Sequence, residues 1–301
     1  ILGLSSGLLL PQKGKISTFS NKYAYVGVAP LIIDGTLREN ILYGNGKSFE
    51  DKILIDYLEN FKVFNEDIYD NLDKKISNKK IHKIFRRAKY LIFDLSNYYL
   101  IIHLGMSGTL RIMNTEDNYF KKHDHAELIF KSKKLIYNDP RRFGSIHITR
   151  SYQDHSLISN LGPEPLSDEF CGEYLHNVVK SSKTNIKNII MNQKNVVGIG
   201  NIYASEILFK SSIDPARIAN SISRIECDLI TKFSKNILKK AIKVGGTTIR
   251  DFFSAEGNEG YFKIQLNVYD REDKKCSKCQ NKIKKITQNQ RATYFCKTCQ
   301  N

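Results

Sequence analysis

The rhythm of apolar positions changes near residue 150. Before it, short alternating runs read as strands: Lys22–Val28, Ile81–Leu95 with Tyr90, Ile92 and Leu95 as one face, Tyr98–Leu104 and Ser145–Thr149. Ala126–Phe130 and Lys134–Tyr137 read as a hairpin. After residue 150, apolar residues recur every three or four positions. That spacing predicts helices over Asn185–Gln193, Asn201–Ser211, Arg224–Val244 and Thr247–Phe253. Upstream, a turn is expected near Pro30, and Phe49–Phe61 has helical spacing, with Ile53, Leu54, Tyr57, Leu58 and Phe61 on one side. The expected class is α+β: a β-rich region, then a helical part, preceded by an α/β segment.

The last 26 residues add a third module. Cys276-x2-Cys279 and Cys296-x2-Cys299 are separated by sixteen residues, a spacing that lets four thiolates converge on one tetrahedral Zn²⁺. The arm between the pairs is basic and aromatic, which suggests a hairpin presented to an anion. The remaining cysteines, Cys171 and Cys227, read as buried thiols, and four cysteines in metal spacing fit a reducing cytoplasm.

Charge narrows the partner. The 301 residues carry a net +16, yet residues 1–78 hold 9 basic and 10 acidic side chains against 38 and 21 in the rest. The basicity therefore belongs to the second part, and nucleic acid is the expected partner. With no apolar run of 18 residues, no membrane-spanning helix is expected.

Three further stretches carry candidate chemistry. Asp139-Pro140-Arg141-Arg142-Phe143-Gly144 reads as a stiff loop tip with cations and a ring, able to enter a duplex beside an extruded base, or else as a surface turn. Met106, between Gly105 and Ser107, is either a second wedge or core, and His123 of Lys122-His123-Asp124-His125 suits a phosphate contact better than a metal. Gly198-Ile199-Gly200 ahead of Asn201, downstream of Lys183 and Lys187, can open a helix with free N–H groups suited to a DNA phosphate, or else is a bare helix turn.

Taken in order, these words resemble the formamidopyrimidine-DNA glycosylases, which excise oxidised purines and nick the strand. The resemblance covers about residues 79–301. It runs through Arg86-Arg87-Ala88-Lys89-Tyr90, His103–Gly108, Lys122–His125, Asp139–Gly144, Leu161–Asp168, Val197–Glu206, Gly245–Thr248, Gly260–Phe262 and Gln290–Tyr294. It implies that Met106, Arg141 and Phe143 fill the void left by a flipped base. It also implies that Lys89 acts as a general acid at the lesion, and that Arg291 on the zinc hairpin grips phosphate and assists elimination. His123, Lys187 and Asn201 become phosphate contacts, with Lys183 standing in for a family lysine replaced by Ser182. Glu206 supports the catalytic head, and Ser254–Phe262 closes over the base. The implied partner is double-stranded DNA with a damaged or abasic site, bound by a bacterial cytoplasmic, nucleoid-associated monomer.

Residues 1–78 instead resemble part of an ABC transporter nucleotide-binding domain, from Ile1-Leu2-Gly3-Leu4 through Gly14-Lys15-Ile16 to Asp34–Ile41. The Gly-rich phosphate loop such a domain needs is not in the sequence, so no ATP chemistry is expected. The expected domains are thus 1–78, a truncated sandwich at 79–150, a helix–two-turn–helix unit at 151–265 and a zinc ribbon at 266–301. The family's mature chain starts with Pro-Glu, whose secondary amine attacks the sugar, and no such start stands at Ile1-Leu2. The sequence therefore leaves open an active glycosylase and AP lyase, a damaged-DNA-binding remnant, or a fusion artefact.

Overall fold

The computed structural model describes residues 57–58, 60–63, 75–117, 119–243 and 266–301, the first two stretches as backbone only. The expected strand at 22–28, turn near Pro30, helix at 247–253 and closing loop at 254–262 lie outside these residues.

Two four-stranded antiparallel sheets face each other. One has the order β10 (Ser145–Thr149), β6 (Tyr99–His103), β5 (Tyr90–Asp94), β4 (Lys83–Arg87). The other has β2 (Asn60–Val63), β8 (Asp124–Ile129), β9 (Lys133–Asn138), β7 (Thr109–Asn114). A short pair, β1 (Tyr57–Leu58) with β3 (Lys79–Lys80), lies beside them. Strand periodicity puts Leu91, Phe93, Leu100, Ile102, Leu128 and Leu135 into the space between the sheets, all essentially without solvent contact.

The first sheet is buried on both sides, which corrects the single face expected for Tyr90, Ile92 and Leu95. Leu95 joins the inter-sheet core. Tyr90 and Ile92 point the other way, with Ala88 and Ile101, onto Ile158 and Val197. A near-continuous apolar run such as Tyr90-Leu91-Ile92-Phe93 is what a doubly covered strand requires, and alternation is then no guide to its faces.

Two further corrections fall upstream. Tyr57–Leu58 and Asn60–Val63 are strands, not the end of a helix, because β2 pairs with β8 from Asn60↔Ile129 to Val63↔Ala126. Tertiary pairing here overrides a helical spacing too short to stand alone. The sandwich thus begins before the boundary drawn at residue 79.

The helical part packs α1 (Gly172–Val179), α2 (Ile186–Met191), α3 (Asn201–Lys210) and α4 (Arg224–Lys243) around Phe170, Ile186, Ile190, Ile207, Leu208 and Ile230. The side chain of Asn185 caps α2 by accepting the Asn188 N–H at 2.9 Å. Cys227 is buried as expected, whereas Cys171 is exposed, because it sits at the N-cap of α1 where the chain enters the helix from the surface. The ribbon is a hairpin of β11 (Lys284–Gln288) and β12 (Arg291–Phe295), with Phe209 of α3 in its core.

The connection between sandwich and helices is a pinned joint. The Glu164 carboxylate accepts hydrogen bonds from Arg86 Nη1 at 2.7 Å, Arg87 Nη1 at 2.9 Å and Ala88 N at 2.8 Å. Arg87 Nη2 reaches back to the carbonyls of Leu161 and Gly162 at 3.0 and 2.7 Å. Burial would push the Glu164 carboxyl up, but the Arg86 charge and these donors outweigh it and hold it below the usual range. Glu164→Gln should lower stability by on the order of 2–4 kcal/mol, the scale for breaking a half-buried, bidentate charge cluster. Urea unfolding checks this, and a loss below about 0.5 kcal/mol would mean the joint is held by apolar packing alone.

Candidate nucleic-acid interface

Lys89 occupies the tip of the two-residue turn joining β4 to β5, where Arg87 pairs with Tyr90. Ala88 takes φ +53° there, a conformation that disfavours Cβ and is held by the Glu164 clamp on its N–H. Lys89 is 5 % exposed, and its pKa is lowered to about 8, first by burial and then by the charge of Arg291. Arg291 begins β12, just after the hairpin turn Asn289-Gln290, whose two residues both have positive φ, +46° and +60°, as a primed two-residue turn demands.

Lys187 of α2 is the third member of this group. It is 1 % exposed and donates to Asn201 Oδ1 and Thr293 Oγ1, both at 2.6 Å, and to the Ala292 carbonyl at 3.3 Å. Asn201 Nδ2 also donates to that carbonyl, at 2.9 Å. The lysine and asparagine read as phosphate contacts therefore join α2 and α3 to the strand carrying Arg291. Burial and Arg291 lower the Lys187 pKa to about 8 as well. Among the described residues no carboxylate is paired with Lys89, Lys187 or Arg291. Three unneutralised cations at one place make a site for an anion.

Asp139 organises the loops at the same end of the sandwich. Fully buried, its carboxylate accepts from Ser107 Oγ at 2.7 Å, Gly144 N at 2.8 Å, Tyr137 Oη at 3.1 Å and Arg141 N at 3.3 Å. The Met106 loop and the Arg141–Phe143 loop are thereby one unit. Gly105, at φ +65°, passes so close that a Cβ there would lie 2.5 Å from Gly144 N. Met106 is exposed, and the Arg141 guanidinium lies 4.7 Å above the Phe143 ring. His123, at φ +73°, is tied to this unit by the Asp139 N–H, which donates to its carbonyl at 3.0 Å.

The remaining expected residues fall elsewhere. Lys183 is exposed ahead of α2. Glu206, on α3, accepts from Asn267 N and Nδ2 at 2.9 and 2.8 Å, and from Val268 N and Tyr269 N at 2.8 and 3.0 Å. It holds the entry to the ribbon. The Sγ atoms of Cys276, Cys279, Cys296 and Cys299 lie within 4.8 Å of one another, a spacing suited to a tetrahedral ion with bonds of about 2.3 Å.

His103 was not singled out by sequence. It is 4 % exposed at the end of β6, its ring 4.9 Å from that of Tyr90. The Gly105 N–H donates to Nδ1 at 3.3 Å, which leaves Nε2 as the protonated nitrogen, and Nε2 has no partner among the described residues. Burial and the charge of Lys89 lower its pKa to about 4. Asp139 and Glu164 were likewise quoted in sequence without a role, since only the fold shows what a carboxylate holds.

Models of three domains match this chain. They are the formamidopyrimidine-DNA glycosylase N-terminal domain over residues 49–146, the H2TH domain of the same enzymes over 161–253, and a zinc finger found in FPG and IleRS over 273–301. The chain belongs to the formamidopyrimidine-DNA glycosylase family. It is 45 % identical over 236 residues to the Escherichia coli formamidopyrimidine-DNA glycosylase, covering 78 % of this chain and 86 % of the relative. To the Salmonella arizonae enzyme it is 45 % identical over 227 residues, 75 % and 84 % of the two chains. Among solved structures it resembles Lactococcus lactis Fpg in complex with abasic-site DNA, at TM-score 0.78 and 33 % identity, covering 88 % of this chain and 99 % of that one. With a Fapy-dG containing DNA the same enzyme gives TM-score 0.75 and 32 % identity, over 83 % and 95 %. Because the first domain match starts at residue 49, residues 49–78 belong with the glycosylase fold. The ABC-like reading of 1–78 is corrected there, and its remainder lies outside the described residues.

The lowered lysine pKa values have a sign. Unfolded, Lys89 and Lys187 hold their protons up to about 10.5; folded, only to about 8. The unfolded chain therefore binds more protons between these values, and stability rises with pH across that window. Lys89→Met should remove part of this slope and raise stability near neutral pH by roughly 2 kcal/mol. Thermal unfolding from pH 7 to 10 measures both. A slope unchanged in the variant would mean that Lys89 carries no strained charge.

Proposed function

We propose that this chain binds double-stranded DNA at a damaged or abasic site and acts there as a glycosylase and AP lyase for oxidised purines. The observation that carries the reading is the convergence of Lys89, Lys187 and Arg291, unneutralised, from three elements. Next to them stands a rigid tip of Met106, Arg141 and Phe143 shaped to replace an extruded base. His123, Lys183, Asn201 and the Nε2–H of His103 are the further phosphate contacts in this reading, and Glu206 positions the ribbon. Zinc fits the four-thiolate site and would set the hairpin that carries Arg291.

Catalysis needs an unprotonated amine to attack C1′ of the opened sugar, expel water and leave an imine. The only Pro-Glu pair in the sequence, Pro163-Glu164, is internal and spent on the joint. Lys89 is the amine the described site offers, and its burial supplies the neutral fraction near pH 8 that an ordinary lysine lacks. No described helix is long and apolar enough to cross a membrane.

Borohydride reduction in the presence of a duplex bearing an abasic site should give a covalent adduct that disappears in Lys89→Ala. Binding without any adduct would make the chain a damaged-DNA-binding protein that does not cut. Zinc chelation should unfold the ribbon and weaken DNA binding at least tenfold, since metal binding there is folding free energy. Undiminished affinity in the chelated protein would remove the ribbon from the interface. Affinity should also fall steeply with salt, by roughly 0.9 in log–log slope per phosphate neutralised, and a flat response would sink the nucleic-acid reading.

A further inference from the structure

One exposed segment beside the wedge loops has no role in the reading above. Tyr119 is 64 % exposed and Phe120 46 % exposed, and Lys121 and Lys122 beside them face solvent. Single exposed apolar side chains are ordinary, but two adjacent rings flanked by two cations on a held loop are not. The loop is held on the C-terminal side of the rings. Lys121 N donates to Asp124 Oδ2 at 2.8 Å, and Asp124 N returns a bond to the Lys121 carbonyl at 3.1 Å. Asn138 Nδ2 donates to the Lys122 carbonyl at 3.0 Å, and Arg111 grips Asp124 through Nη1 and Nη2 at 2.9 and 2.8 Å. Lys134, buried and paired with Glu127 at 3.6 Å, places Nζ 5.0 Å from the Phe120 ring centre.

Position decides what such a surface meets. The segment enters β8 where β9 leaves for the wedge loop, and Asp124 and Asn138 are paired there. The two loops touch directly, through Asp139 N to the His123 carbonyl at 3.0 Å and through His125 Nε2 and the Asp139 carbonyl at 2.9 Å. A duplex kinked over Met106, Arg141 and Phe143 would present its disrupted steps to this neighbour. Rings with interspersed cations are the chemistry that holds an unpaired base by its face and its phosphates by charge.

We propose that Tyr119 and Phe120 stack on a base left without its partner beside the wedge, while Lys121 and Lys122 hold the flanking phosphates. The surface extends the DNA contact beyond the lesion and rests on the DNA-binding reading above. A carboxylate-rich protein partner and a second copy of this chain are the competing occupants.

The test uses the full chain and a duplex with 2-aminopurine opposite an abasic site. The chain contains no Trp, so the probe's emission is read cleanly. Wild-type protein should quench the probe, and Tyr119→Ala/Phe120→Ala should lose that quenching and bind this duplex about tenfold more weakly, the scale of one lost stack. Lys121→Gln/Lys122→Gln should instead keep the quenching and lower the log–log salt slope by about 1.8. Both pairs are exposed, and a thermal melt equal to wild type confirms that the fold is kept; Tyr119→Ala alone serves where the double variant melts early. Wild-type protein that binds no DNA overturns both readings. Wild-type binding with unchanged quenching and affinity in the aromatic variant overturns this inference alone. Normal DNA binding in the aromatic variant together with a shift in sedimentation would assign the patch to a second copy.

Discussion

Three positive side chains meet in this protein, and among the described residues no carboxylate pairs with any of them. Lys89 comes from a sandwich turn, Lys187 from a helix and Arg291 from the zinc hairpin, and the arginine's charge depresses the proton affinity of both lysines. Burial and mutual repulsion make the arrangement unfavourable by itself. Other contacts must hold it together, and the architecture can be read as the set of those contacts. Glu164 fixes the turn under Lys89. Asn201 and Thr293 fix Lys187. Glu206 and the four thiols fix the hairpin behind Arg291.

Carboxylates do most of this holding, each in a different manner. Glu164 faces two arginines and a backbone N–H, so its charge is neutralised across the sandwich–helix joint. Glu206 pairs with no cation among the described residues and is satisfied by three backbone N–H groups and one amide, the pattern of a carboxylate closing a turn. Asp139 is buried under two loops and accepts from the Ser107 hydroxyl of one, backbone N–H groups of the other and the Tyr137 hydroxyl of β9. None of the three reaches the cationic group, which keeps the site positive for phosphate.

The sequence made much of this visible, unevenly. The four-cysteine zinc site was legible because few residue types do that chemistry and they stand close together in the chain. The helices at Asn201 and Arg224 showed through their periodicity. What stayed hidden depends on contacts between distant segments. The burial of β5 on both faces, the strand at Asn60–Val63 and the exposure of Cys171 are set by neighbours far along the chain. Lys187 and Asn201 were read as outward phosphate ligands, yet they bond first to each other and to β12. No local pattern distinguishes a lysine that holds a hairpin from one that waits for DNA.

The central claim is that the buried cations await a phosphate. A titration of the Lys187 Nζ by nuclear magnetic resonance, in the free protein and with duplex bearing an abasic site, addresses it directly. The account predicts a midpoint near 8 in the free protein, moving upward by a unit or more once phosphate shares the site. A midpoint that stays near 8 in the complex would contradict it, because the anion would then lie elsewhere.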